Sequence, residues 1–121
     1  MKYDDNNIFA KILRGEIPCK KIYEDEFVLS FYDINPQKKI HALVIPKGKY
    51  VDLDDFLNNA KEIEILEFFK AISHVAKLLK ISNIQGGYRT VSNIGKNGGQ
   101  EVPHLHFHLF GGELVGKMVT N

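Results

Sequence analysis

The sequence predicts an α+β domain: a five-stranded antiparallel sheet with one long and one short helix. Three observations lead there. Apolar residues recur with strand period in five segments and with helical period in two. The elements follow in the order α-β-β-β-α-β-β, and the connections at both ends are too short for the crossovers that parallel strands require. Finally, "HLHFHLFGG", from His104 to Gly112, alternates histidine with Leu105, Phe107 and Leu109 at the strand repeat of two.

The chain of 121 residues fits one domain and is long enough to bury a core without cross-links. We assign residues 1–121 to that single domain, with a core from about residue 7 to 112 and a C-terminal tail over 113–121. Hydrophobic residues make up 44% and charged residues 26%, a globular balance. The formal net charge is +1, and Lys and Arg are scattered, which speaks against a nucleic-acid surface. A single cysteine, Cys19, allows no internal disulfide and no CxxC motif. It reads as a filler beside a proline turn, and its solitude points to a reducing compartment. The N-terminus carries acids where a signal peptide has a basic head and an apolar run. No apolar stretch approaches the roughly 20 residues needed to span a bilayer. The expected setting is cytoplasmic, with no membrane partner.

Taken in order, "NNIFAKILRGEIP" predicts a short helix. Asn6 or Asn7 can cap it, Phe9, Ile12 and Leu13 form its apolar stripe, and Gly15 and Pro18 end it. "KKIYED" and "FVLSFYDI" are strands around an acidic turn at residues 24–26. "NPQKK" is a turn, and "HALVIP", from His41 to Pro46, is a buried strand. The long helix runs from about Ala60 to Lys80, with Ile65, Phe69, Ile72, Ala76 and Leu79 on one face, and a shorter turn of helix precedes it at Leu53–Leu57. "GGYRTVSNI" is the fourth strand, "KNGG" carries an Asn97-Gly98 hairpin signal, and "EVPHLHFHLFGG" is the fifth strand.

A strand running through the histidines turns His104, His106 and His108 to one side and Leu105, Phe107 and Leu109 to the core. At about 3.3 Å per residue, the outer histidines stand roughly 13 Å apart at the backbone. Three readings follow. In a metal site, neighbouring histidines could share an ion, but the outer pair could converge only with difficulty; His41 could add a ligand, with no carboxylate evident beside it. In a catalytic site, His106 attacks as a neutral imidazole while its neighbours orient it and donate protons to an anionic substrate. As solvated decoration, three histidines in strict alternation would be unusual. The loop "SNIGKNGGQEVP", with Gly95, Gly98 and Gly99, can serve as a hairpin turn, as an anion nest, or as both. His74, on the long helix, reads as a solvated or packing residue.

The pattern "HLHFHLF", together with "IFAKILRGEIPCKKIYEDE", "FYDINPQ", "HALVIPK" and "GGQEVPHLHFHLFGG", resembles the histidine triad (HIT) superfamily, Hint branch, from about Asn7 to Gly112. The resemblance implies an α+β homodimer whose sheets join across the subunit interface. It also implies binding of purine nucleoside monophosphates and hydrolysis of phosphoramidate bonds, of the AMP-amine type, through a nucleotidyl-histidine intermediate. No cofactor and no metal are implied. His106 matches the nucleophile, His104 and His108 the members that flank it and contact phosphate oxygens and leaving group, and His41 the upstream histidine of the network. Asp33 matches the acid on the ribose hydroxyls. Ile8, Phe9, Phe31 and Ile34 match the apolar slot for the base, and Asn93, Gly99 and Gln100 the phosphate side. The nearest rivals are a dinucleoside polyphosphate hydrolase using the same nucleophile and a nucleotide-sensing dimer with little turnover.

Four departures stand out. Glu101 occupies a nucleotide-side position where Ser is expected, the chain has no Trp, and Tyr32 stands where His is common. "NNIFAK" lacks the CxxC that completes a zinc site in some relatives, which weakens the metal reading further.

Overall fold

Asn7 opens the first helix as its side-chain Oδ1 accepts the Ala10 N–H at 2.9 Å, satisfying a donor that the first turn leaves free. The computed structural model describes residues 2–118. In it this helix, α1, spans Ile8–Leu13, and Gly15 follows at φ +78°, the left-handed conformation that ends many helices. Then come β1 (Lys21–Glu24), β2 (Val28–Tyr32), β3 (Ile40–Pro46), α2 (Leu53–Asn59), α3 (Glu62–Leu78), β4 (Arg89–Val91) and β5 (Phe107–Gly111). The strands form one sheet in the order β1-β2-β3-β5-β4, and every neighbouring pair is antiparallel.

Strand alternation divides the buried residues between two faces. On one face Val28, Ala42, Val44 and Leu109 meet Phe68, Ile72, Val75 and Ala76 of α3. Full burial of Phe56 and Phe68 in this layer contributes roughly 1.5–3 kcal/mol each relative to exposure. On the other face Leu29, Phe31, Leu43 and Ile45 pack with Phe9 of α1. This second layer covers only part of the sheet. The rest of that face belongs to the histidines.

Four expectations are corrected. The turn of helix expected at Leu53–Leu57 is present as α2, capped by Asp52, whose carboxylate accepts the Asp55 N–H, so the described residues hold two short α-helices and a long one, besides a 3-10 turn at Asn83–Gln85, where one short helix was expected. On α3 the expected face holds at Ile72 and Ala76, which are buried, and at Ile65 and Leu79, which pack against the same core, but Phe69 is 38% exposed and Phe68, Ala71 and Val75 complete the buried stripe. Apolar residues occupy more than one face of this helix, with Ile63, Leu66 and Phe69 forming an exposed row beside the buried one. Asn97-Gly98 does not form a tight hairpin: β4 and β5 are joined by residues 92–106, and those two glycine-rich positions turn inside that long loop. Finally, β5 begins only at Phe107, so His104 and His106 precede the strand, and His108 alone of the three is paired in it, opposite Leu43 and Val91.

Candidate active site

The segment Pro103–His106 is held by bonds that are not ladder bonds. Leu105 N–H donates to the Tyr50 carbonyl at 2.8 Å, and Leu105 is buried in the α3 layer as the alternation predicted. Ser92 Oγ donates to the His106 carbonyl at 2.8 Å, tying the segment to the end of β4. The three histidine rings consequently have different surroundings.

His104 is completely buried. Its Nε2 donates to the Pro46 carbonyl at 2.8 Å, and its Nδ1 accepts from the Tyr3 hydroxyl at 2.5 Å. Both ring nitrogens are therefore occupied by protein, and burial pushes its pKa down to about 4. The expectation that His104 contacts phosphate oxygens or leaving group is corrected: it does not line the cavity that His106 and His108 share. The physical reason is that His104 lies on the Phe9 side with His106, but Tyr3 and the Pro46 carbonyl cover its ring from both edges.

The next ring, His106, is also buried, but asymmetrically. Its Nδ1 donates to the His104 carbonyl at 2.7 Å, which places the ring proton there and leaves Nε2 as a lone pair. Among the described residues no buried side-chain nitrogen or oxygen lacks a partner, so this unbonded Nε2 opens to the cavity. Burial lowers the His106 pKa, only partly offset by its backbone bond and by Asp33 and Glu101, and keeps the ring neutral. Phe9 packs its edge against the imidazole, with ring centroids 4.9 Å apart.

A relay ends on His108. Gln37 N–H donates to His41 Nδ1 at 3.1 Å, so neutral His41 carries its proton on Nε2. That nitrogen lies 2.9 Å from His108 Nδ1, which must accept, leaving His108 with its proton on Nε2. Burial, then the neighbouring His106 and His41, push the His108 pKa down to about 4. Burial likewise lowers that of His41, against the pull of Asp33. Asp33 Oδ2 sits 3.4 Å from His41 Nε2, which supplies the carboxylate that the sequence did not reveal beside His41. One ligand atom from each of Asp33, His41 and His108 falls within a 4.8 Å group, a set able to hold a cation. The 2.9 Å His41–His108 contact is nonetheless that of a shared proton; two nitrogens on one tetrahedral zinc stand about 3.3 Å apart.

These side chains line a cavity of about 380 Å³ between β3, β5 and the loop before β5. Of the residues singled out in the sequence, Phe9, Asp33, His41, Asn93, Gly99, Glu101, His106 and His108 line it. Gly99 does so at φ +77°, a backbone conformation open to glycine. Phe31 lies behind, buried against Phe9 with centroids 5.7 Å apart. Ile34 is 90% exposed and lines instead an adjoining cavity of about 710 Å³, which shares Asp33 and His41 with the first and adds Pro18, Cys19, Lys20, Tyr32 and Lys39. Ile8 is half-exposed and lines neither. Gln100 is corrected as a phosphate contact: its amide donates to the Val51 and Val102 carbonyls and its Oε1 accepts the Gly95 N–H, so the side chain braces the loop from behind. Sequence reasoning missed Asn35, Gln37, Leu43 and Val102 in the lining and Tyr3 behind it. Gln37 had a signal, since it sits in the turn four residues before His41. Tyr3 had none, because its contact spans 101 residues.

Fold and site together define an α+β domain whose open sheet face carries a cleft of neutral histidines beside a carboxylate. Residues 14–114 match the HIT domain, and the chain belongs to the HIT family. It is 55% identical over 118 residues to an uncharacterized 13.2 kDa HIT-like protein of Azospirillum brasilense, covering 98% of this chain and 95% of that one. Among solved structures it is similar to a histidine triad protein from Clostridium difficile, with TM-score 0.83, 41% identity, and coverage of 98% and 100%. It is also similar to a HIT family hydrolase from Clostridium thermocellum, with TM-score 0.85, 37% identity, and coverage of 97% and 99%.

Proposed function

We propose that this chain is a nucleotide-binding hydrolase that cleaves the phosphoramidate bond of purine nucleoside monophosphates through a nucleotidyl-histidine on His106. One observation carries the reading: His106 gives its Nδ1 proton to a backbone carbonyl and presents a bare Nε2 to the cavity beside His108, whose remaining ring nitrogen carries a proton. A nucleophile and a hydrogen-bond donor thus face the same cavity. The ring centroids are 5.1 Å apart.

In the proposed first step His106 Nε2 forms a bond to the α-phosphorus and the P–N bond breaks; the amine leaves with the Nε2 proton of a His108 ring that has taken up a second proton from solvent beside the anionic substrate, so that the ring ends neutral. The substituted imidazole is cationic, and the His104 carbonyl on its Nδ1–H stabilises that charge. In the second step a water attacks phosphorus, the bond to His106 Nε2 breaks, the water's proton passes through His108 back to solvent, and the nucleoside monophosphate leaves with His106 restored. Asp33 receives the ribose hydroxyls, which suit a carboxylate as donors, and Phe9 with Phe31 supplies the apolar wall for the base. Positioning and charge stabilisation dominate this class of transfer.

We further propose a homodimer as the working unit. The edge position of β4 and the uncovered apolar row Ile63, Leu66 and Phe69 on α3 support it. The lone Cys19 supports a reducing, cytoplasmic setting. Among the described residues no helix is long and apolar enough to cross a membrane.

A second reading has its own observation. The adjoining cavity, lined by Lys20 and Lys39, has room and charge for a further anionic half of a dinucleoside polyphosphate. Incubation with adenosine 5′-phosphoramidate and, in parallel, with a diadenosine polyphosphate separates the two. The proposal expects faster release of AMP from the first, abolished in His106→Ala. Preference for the dinucleotide would transfer the assignment to the second reading. Binding without turnover of either would make the chain a nucleotide sensor.

A further inference from the structure

The contact of Tyr3 with His104 is absorbed by neither the fold nor the proposed chemistry. Tyr3 lies before α1 and does not line the cavity. Its hydroxyl nevertheless reaches His104 Nδ1 at 2.5 Å, and its ring meets that imidazole edge-on, with centroids 5.6 Å apart and planes at 72°. The segment carrying it is held on both sides. Lys49 pairs with Asp5 at 2.8 Å, Arg14 donates to the Asp5 carbonyl at 2.8 Å, and Asn7 Nδ2 donates to the Asp4 carbonyl at 2.7 Å.

The consequence follows from donor and acceptor arithmetic. The Pro46 carbonyl can only accept, so the His104 proton sits on Nε2. Nδ1 is then a buried acceptor, and the Tyr3 hydroxyl is its donor. Without that donor the ring must tilt, admit water or leave Nδ1 unsatisfied, each of which carries a cost in a fully buried site. The backbone of the same residue holds the His106 ring, because the His104 carbonyl accepts the His106 Nδ1–H at 2.7 Å. Two hydrogen bonds therefore lead from Tyr3 through His104 to the ring that faces the cavity, with the Pro46 bond holding His104 from its other side.

We propose that Tyr3 is a positioning residue for His106: by clamping the His104 ring from the side opposite Pro46, it fixes the carbonyl that sets the orientation and tautomer of the nucleophile. The inference rests on the reading of His106 as nucleophile, but its structural half can be measured without substrate. The arrangement parallels the general design in which a third group orients a catalytic imidazole through the nitrogen that does not react.

The test is Tyr3→Phe, which keeps the aromatic packing and removes only the hydroxyl. Long-range ¹H–¹⁵N spectra of the histidine rings show which nitrogen is protonated. In the unaltered protein His106 is expected as one tautomer, protonated at Nδ1, and His104 as one tautomer, protonated at Nε2. In Tyr3→Phe the His106 signals are expected to shift toward an average of the two tautomers. On the phosphoramidate substrate kcat is expected to fall on the order of tenfold, as misorientation without loss of a reacting group would give, with KM unchanged. Unchanged His106 ring signals in the variant would overturn the proposal, whatever happens to kcat. So would a change confined to KM. If Tyr3→Phe does not fold, the unaltered protein still decides: a His104 Nδ1 resonance without the shift of a hydrogen-bonded acceptor would refute the clamp. Should the unaltered protein fail to turn over any nucleotide, the proposed function falls while the spectra still judge Tyr3.

Discussion

His104 and His108 stand at equal distance from His106 in sequence, yet they belong to different parts of the molecule's physics. His104 is fully buried, with both ring nitrogens bound to the protein. His108 is the end of a relay from Gln37 and His41, and its last proton faces the cavity. One is an anchor and the other a donor. A repeat of two in sequence therefore does not by itself distribute chemistry evenly; the neighbours of each ring decide its role.

Substitutions can sharpen or break this contrast. The largest expected effect on turnover among the flanking pair is at His108. His108→Ala removes the proposed proton donor, and kcat on an adenosine phosphoramidate is expected to fall about 10²–10⁴-fold, the range of a lost general acid. Thermal and denaturant unfolding should show far less loss than in His104→Ala, since His108 is only partly buried. His104→Ala should do its main damage to stability. It opens a cavity and strands the Pro46 carbonyl, at a cost of about 2–4 kcal/mol in denaturant unfolding. Equal effects of the two variants on both kcat and stability would erase the distinction.

A smaller effect is expected from pH. His104 and His108 titrate near 4 in the folded chain, below the ordinary histidine value of 6.5, because burial disfavours the charged ring. The unfolded chain thus binds more protons between those values, and stability rises with pH across them. The contribution is fully present above about pH 6.5 and is lost as pH falls toward about 4. Urea midpoints over this window should decline with acid, and the decline should be shallower in His104→Gln and in His108→Gln. A midpoint flat from pH 7 to pH 4 would contradict the buried neutral rings.

How much of this was legible follows the same division. Local signals carried well: the Asn7 cap, the Gly15 stop and the alternation that buries Leu105 and Leu109 are all read from neighbours in sequence. His41 and Asp33 were grouped with the triad through resemblance, and the antiparallel register of β2, β3 and β5 is what brings them to it. The failures came from contacts that sequence spacing does not encode. β5 starts only at Phe107, since Leu105 bonds to Tyr50 rather than to a strand, and no local pattern announces that. Gln100 reads as a ligand contact until its amide is seen bonded to two carbonyls behind the loop. Helical periodicity on α3 found the core-facing row through Ile65, Ile72, Ala76 and Leu79 but placed Phe69 on it, where Phe68 is the buried ring.

The central claim is that His106 alone of the three forms the bond to phosphorus. Rapid acid-free quenching of the protein with an adenosine phosphoramidate, followed by digestion and mass spectrometry, tests it most directly. The account predicts an adenylyl group on His106, absent in His106→Ala and accumulating more slowly in His108→Ala. A label on His104 or His108, or steady turnover with no labelled histidine, would contradict it.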